Sequence, residues 1–498
     1  MRSAIARATA VVAIAVTAAA LTACGTTGSP DEEVTTLKAN TAYVPANWNP
    51  NTSIVLTLEQ QAVYESLGYL DPATFEFRPL LAESYELSDD LRTLHLTLRQ
   101  DVYFTDGTHL DAAGARVAFD YALPVVAASL VGPFGVAAEV VGEYELDLTT
   151  TRPITEDFFF WLGIVPIASP AVIEDDPESL SETPVGSGPY VIDEMTPEAS
   201  ITFDRNPEYR DPDAYPFDRL EFTVMNDSIA VANALKSGQI NAGTVESNHA
   251  ASVEEAGFQL SVGTSWTWYL QLPDSTFATA PQLADVRVRQ AIAYAFDREG
   301  IIENLEYGYG TPAGQIWSDG SPYFIEGGDE TYAFDPEKAR ELMAEAGYGD
   351  GFELTMPTTP FNDKYEPVVL QSLADIGITV TYVDYPDYGE YIEALHSGDY
   401  AIGIESSGDL YLDGVFRNDF PHGGYPELTP LFEIIDSGNA EEVAAAQQEV
   451  GSYLLDNALA GIVFSRPAFI WATVPEITIP RSIVSTAATP LVDIQLAD

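Results

Sequence analysis

From Thr35 onward, segments that repeat every second residue and segments that repeat every third or fourth follow one another irregularly, and this mixture leaves few architectures open. Arg92 to Leu98 (R-T-L-H-L-T-L) alternates strictly, with Leu94, Leu96 and Leu98 on one face, and Tyr144 to Thr150 (Y-E-L-D-L-T-T) alternates again. Both read as half-buried strands. Leu58, Val63 and Leu67 fall at helical intervals and predict a helix from Leu58 to Tyr69. Asp111 is a good N-cap for an alanine-rich helix over Ala112 to Ala122. Asp335-Pro336 opens a helix running to Ala346, with Gly347 as its stop. Gly377 to Val383 is a β-branched strand; Ala440 to Leu455 is a helix followed by a strand from Gly461 to Phe464. No repeat of solenoid or propeller period occurs. The pattern predicts an α/β fold with open, mixed sheets. At about 150 residues per domain, the 498-residue chain divides into two or three bodies.

The first residues follow other rules. Arg2 and Arg7 precede an apolar run of small residues from Ala8 to Leu21, a secretory signal too short and alanine-rich for a membrane span. Cys24, in L-T-A-C-G, is the only cysteine, so an intramolecular disulfide is impossible and a sulfur-ligated metal site lacks ligands. After it, G-T-T-G-S-P-D-E-E has nothing to bury and reads as a flexible tether.

The chain carries 77 acidic against 21 basic side chains, a formal charge of −56. A phosphate backbone needs basic neutralisation, so nucleic acid is excluded as a partner. Such charge serves solubility or a salty exterior. Steering of a cationic ligand is the sharper alternative, limited by screening over about 8 Å at physiological salt.

Several stretches carry a family likeness. Tyr64-Glu65-Ser66-Leu67 leads into R-P-L-L-A-E-S-Y-E-L-S-D-D (Arg78 to Asp90) and L-R-Q-D-V-Y-F-T-D-G-T-H-L-D-A (Leu98 to Ala112). P-V-G-S-G-P-Y follows at Pro184 to Tyr190, then A-D-V-R-V-R-Q-A-I-A-Y-A-F-D-R-E-G-I at Ala284 to Ile301. In order and spacing these resemble the extracellular solute-binding proteins of family 5, the peptide and nickel binders of ABC importers. The segments also make local sense. Asp106-Gly107 permits the positive φ of a tight turn. Gly186, Gly188 and Pro189 let the backbone bend sharply at a strand start. Arg287 and Arg289 stand close enough to Asp285 to pair with it.

The resemblance implies a two-lobed clamp of the periplasmic-binding-protein type, with two hinge crossings near Gly263 and Val474 and an extra third domain. Residues 1–23 would be the signal and 24–37 a lipidated tether. Lobe I would comprise 38–64, 185–264 and 474–498, the extra domain 65–184, and lobe II 265–473. L-T-A-C looks like a bacterial lipobox, which implies that Cys24 is acylated and anchors the protein at the outer face of the cell membrane. Expected partners are a small-molecule or peptide ligand, ABC permease subunits, and the membrane through that lipid. No cofactor, metal or catalytic residue is expected, and the protein is expected to be a monomer.

Ile404 to Phe416 (I-E-S-S-G-D-L-Y-L-D-G-V-F) resembles the family segment whose acid meets the ligand's α-ammonium group, which places Asp409 there and Asp413 near a later aspartate. Asp409 is otherwise a solvated loop acid. Trp48, in N-W-N-P, matches a cleft-edge loop, and S-W-T-W-Y-L supplies Trp266, Trp268 and Tyr269 just after the first crossing. Alternation puts Trp266 and Trp268 on one face, fit for stacking on a ligand or for packing in a core. Tyr411 is a further candidate by position.

Two readings compete with peptide capture. One is a binder of oligosaccharide, metal chelate or another small solute on the same fold. The other is a secreted hydrolase, but the five histidines show no metal-ligand spacing and no G-x-S-x-G elbow or P-loop occurs.

Overall fold

The computed structural model describes residues 35–52, 56–71, 74, 76–126, 134–407, 425–459, 462–479 and 489–497. Strict alternation has the expected result at Thr93–Leu98, where Leu94, Leu96 and Leu98 are all buried. This strand lies inside a four-stranded antiparallel sheet, between Ala82–Leu87 and Glu145–Thr149, with Ala137–Gly142 at the far edge. The helix Ala112–Val126 packs on the sheet. Its start is fixed by Asp111, whose carboxylate accepts from the Gly114 N–H at 2.7 Å. Gly107 turns the preceding loop with φ +85°.

A second, ten-stranded sheet carries most of the remaining strands. Thr36–Thr41 runs parallel to Arg219–Val224 and, through Ala39 opposite Ala242, to Ala242–Thr244. Ser200–Arg205 and Tyr190–Thr196 continue it antiparallel to one edge. At the other end Thr267–Gln271 lies between Gly403–Ser407 and Ile462–Thr473, antiparallel to both. Phe352–Thr358 and Ile378–Asp384 form a separate parallel pair.

The strand Ile462–Thr473 joins the two ends of the large sheet. Its first residues pair with Thr267–Gln271, and its last six with Gln259–Thr264. Val463 and Phe464 belong to a core built around Trp268, Ile292 and Trp317, whereas Ile470 and Ala472 belong to a core with Val231, Leu235 and Val253. Between them, at Arg466-Pro467, the chain passes from one core to the other. The parallel passage is at Ser265-Trp266, and the two touch where the Ser265 N–H donates to the Pro467 carbonyl at 3.0 Å. Arg466 is buried there, donating to Thr267 Oγ1 and to the carbonyls of Gln315 and Ile316.

Four expectations change. The helix predicted over Leu58 to Tyr69 ends at Val63; Tyr64 turns extended, and the Val63 carbonyl accepts from the Gly188 N–H at 2.8 Å instead of continuing the helix. That approach also explains the glycines. Neither Gly186 nor Gly188 has positive φ, but a Cβ on either would strike the backbone of Ala62 or Val63. Arg287 pairs with Asp285 at 2.6 Å, while Arg289 caps the carbonyls of Leu283, Ala284 and Asn457. The strand expected to stop at Phe464 runs to Thr473.

Candidate functional site

The second passage between cores borders a cavity of about 430 Å³, within the roughly 300–1,000 Å³ of small-molecule sites. Pro467, Ala468, Phe469 and Ile470 line it just beyond the second passage. One wall comes from the body that holds Thr36–Thr41: Asn40 to Tyr43, Thr57 to Glu59, and residues between Met225 and Ser247. The opposite wall supplies Glu306 and Lys364 from the body that holds Trp268.

Local sequence explains how each charged group is presented. Thr57 caps the helix Leu58–Val63 and forms a capping box with Gln60, which puts Glu59 in the first turn. A carboxylate there faces the positive end of the helix. Glu59 is nevertheless only 3% exposed. Burial raises its carboxyl above the ordinary range, more than the hydroxyls of Thr41 and Thr57 lower it. The phenol of Tyr43, half-exposed beside it, is raised by burial and then by the Glu59 charge.

Glu306 follows the helix Arg298–Leu305. It is buried and accepts from Lys364 Nζ at 2.7 Å and from Tyr365 Oη at 2.5 Å. Such charge-assisted bonds hold the exposed lysine in one place. The Tyr365 phenol is raised by burial, with the Glu306 charge adding to it.

Trp268 stands behind this pair, 8% exposed, with its ring 4.6 Å from Tyr365 and 5.1 Å from Phe361. Tyr269 is buried opposite Glu405 on the neighbouring strand. Burial pushes the Glu405 carboxyl up to about 7, against the Ser406 N–H and the Tyr388 hydroxyl. Trp266, half-buried at the first passage, and Ser406 each have a buried polar atom, Nε1 and Oγ, without a hydrogen-bond partner among the described residues. Trp48 is 1% exposed, edge-on to Phe203 at 6.3 Å. None of Trp48, Trp266, Trp268 and Tyr269 is among the described residues that line the cavity. Asp409, Tyr411 and Cys24 lie outside the described residues.

Sequence reading passed over Glu59, Glu306, Lys364, Tyr43 and Phe469. The cavity brings together seven separate stretches, and no local period marks such convergence. One signal was available: Lys364 is one of only four lysines.

Among the described residues no group of three or more His, Cys, Asp or Glu could hold a metal ion, and no helix is long and apolar enough to cross a membrane.

The model of the bacterial extracellular solute-binding proteins, family 5 Middle, matches residues 76–419. A glutathione-binding protein of Escherichia coli O1:K1 is 26% identical over 359 residues, 70% of this chain and 67% of that protein. A di/tripeptide-binding protein of Pseudomonas aeruginosa is 30% identical over 236 residues, 45% of this chain and 43% of that one. Among solved structures, NikA from Brucella suis in complex with Fe(III)-EDTA superposes with a TM-score of 0.79 at 21% identity, covering 93% of this chain and 100% of that one. The periplasmic binding protein DppA from Helicobacter pylori, in complex with the peptide STSA, gives 0.72 at 18% identity over 93% and 98%.

Proposed function

The chain belongs to the bacterial extracellular solute-binding proteins of family 5, and from that premise we propose that it is the ligand-capturing subunit of an ABC importer for peptides. The observation that carries this reading is the cavity beside the Arg466-Pro467 passage, with Glu59 on one wall and the Lys364–Glu306 pair on the other. A peptide offers an ammonium group, a carboxylate and amide groups, and the lining offers carboxylates, one ammonium and the amides of Asn40 and Asn226. The glutathione- and di/tripeptide-binding relatives support the ligand class.

Ligand in the cavity touches both walls at once, so it favours the conformation that brings them together. In this reading lobe I holds 38–64 and 185–264, the extra domain 65–184, and lobe II 265–466. The second hinge then falls at Arg466-Pro467, ahead of Val474, because the strand changes partner there. The closed form presents itself to permease subunits, and the protein works as a monomer. Asp409 and Tyr411 belong to a segment that would complete the ligand contacts from lobe II.

The same proposal places the protein outside the cell membrane, tied by a diacylglycerol on Cys24. Two acyl chains are enough for stable attachment. Cys24→Ala should release the protein from washed membranes into the soluble extracellular fraction, and variant protein that stays bound refutes the anchor. Calorimetric titration with di- and tripeptides tests the main reading: saturable binding with intact peptide recovered supports it. Cleavage of the peptide, or saturable binding of a sugar but of no peptide, contradicts it.

A further inference from the structure

Glu59 is a buried carboxylate on the wall of the cavity, and no Lys, Arg or His among the described residues forms an ion pair with it. Its satisfaction by neutral groups is incomplete. The Thr41 hydroxyl lies within reach of the carboxylate but also donates to the Tyr43 carbonyl at 3.0 Å, so its single proton is divided between the two. Thr57 Oγ1 accepts from the Gln60 N–H at 3.4 Å and has one proton to give. A carboxylate has about four acceptor positions. A buried charge that lacks a partner is costly, and chains tolerate it chiefly where something else supplies the counter-charge. Lys364, the one cation among the described residues that line the cavity, already serves Glu306 at 2.7 Å.

We propose that Glu59 is a specificity-determining residue that pairs with a protonated amine of the ligand, and this rests on the reading of the cavity as the ligand site. A purely structural acid at a helix start would sit in water, where the helix dipole alone suits it. Glu59 is instead buried beside Tyr43 and Thr41 on the lining of the cavity. The amine could be the N-terminal ammonium of a peptide or a basic side chain; both have the same chemistry toward a carboxylate. The wall opposite carries a neutralised pair, so Glu59, with Glu246 on the same wall, makes the local sign of the cavity negative.

The test compares wild-type protein with Glu59→Gln, which keeps the shape of the side chain. Calorimetry uses trialanine, N-acetyl-trialanine, and trialanine with lysine or norleucine at each position. The expected result is at least a tenfold weakening by the substitution for the amine-bearing member of one pair, with its neutral counterpart changed less than about twofold. Loss in the acetyl pair assigns the amine to the N-terminus, and loss in a lysine–norleucine pair assigns it to that side chain. Unchanged affinity throughout, with wild-type protein binding, overturns the role of Glu59 and leaves peptide capture standing. Wild-type protein that binds none of these peptides overturns peptide capture, and the role of Glu59 falls with it.

A second readout does not depend on how the variant folds. Burial raises the Glu59 carboxyl, and pairing with an ammonium favours its charged form, so binding should draw off the proton that it holds. At about pH 5, wild-type titrations in two buffers of different ionisation enthalpy should show proton release on binding the amine-bearing probe but not its neutral counterpart. The other titratable groups on the cavity are Tyr43, Glu246, Glu306 and Lys364. Release that persists undiminished in Glu59→Gln assigns the proton to one of these and overturns the proposal.

Discussion

Removing the charge of Glu65 should destabilise the fold by about 3–5 kcal/mol. Glu65 sits one residue beyond the break that ends the first helix, and its backbone carbonyl accepts from the Ile167 N–H at 2.9 Å. Its carboxylate takes both arms of Arg210, at 2.6 and 2.7 Å, together with Tyr209 Oη at 3.0 Å and Ser187 Oγ at 2.8 Å. The side chains of Glu65 and Arg210 are 1% and 7% exposed, so water cannot replace either partner. In Glu65→Gln, one amide oxygen still serves Tyr209 or Ser187, but the amide N–H groups face the guanidinium, donor against donor. The penalty is that of a buried cation without its anion, a large share of the roughly 5–15 kcal/mol that holds a typical domain together. The assay is urea unfolding followed by both far-ultraviolet circular dichroism and tryptophan fluorescence, whose transitions must coincide for the free energies to be comparable. Replacing both partners, Glu65→Leu with Arg210→Met, should recover most of the loss, because an apolar pair avoids the desolvation of two charges. A single-substitution cost below about 1 kcal/mol would refute the reasoning, since it would mean that Arg210 is not held in place by Glu65.

Two further outcomes follow from other parts of the structure. Glu405 has a folded-state value raised to about 7, so the native state keeps its proton over a range in which the unfolded chain has released it. Its contribution is therefore full below about pH 4.5 and falls as pH rises toward 7, by at most about 3 kcal/mol. Wild-type stability relative to Glu405→Gln should decline over that window, and a flat difference would show that Glu405 titrates normally. Gly188→Ala puts a Cβ 2.5 Å from the Ala62 and Val63 carbonyl oxygens, where only backbone can yield. It should cost several kcal/mol, by roughly the overpacking scale of 1–3 kcal/mol or more, and a melting temperature equal to wild type would contradict the close approach.

Much of the fold was legible in short stretches. The alternation of Leu94, Leu96 and Leu98 marked a strand, and Asp335-Pro336 with Gly347 marked both ends of a helix. Asp335 accepts from the Lys338 N–H at 2.8 Å and Gly347 has φ +88°. Legibility failed where a distant partner overrode the local pattern. Leu58, Val63 and Leu67 kept the helical period, but Gly188, far along the chain, takes the Val63 carbonyl that the next turn required. Ser465-Arg466-Pro467 interrupted the apolar run and hid the rest of a twelve-residue strand, since proline rarely sits inside a sheet. The structure accommodates it by burying Arg466 on three oxygen acceptors at the passage between cores. The cavity was least legible. Glu59, Glu306 and Lys364 lie about 250 and 60 residues apart, and only tertiary packing brings them to one space. Trp268, in S-W-T-W-Y-L, packs against Tyr365 and is not among the described residues that line the cavity.

The central claim is capture by closure without chemistry, and small-angle scattering during a peptide titration tests it directly. The account predicts that the radius of gyration falls as a binding peptide saturates the protein, reaches a plateau at one peptide per chain, and returns when the peptide is dialysed away unchanged. Saturable binding with no change in dimensions would contradict the clamp, and recovery of a cleaved or altered peptide would contradict a pure binder.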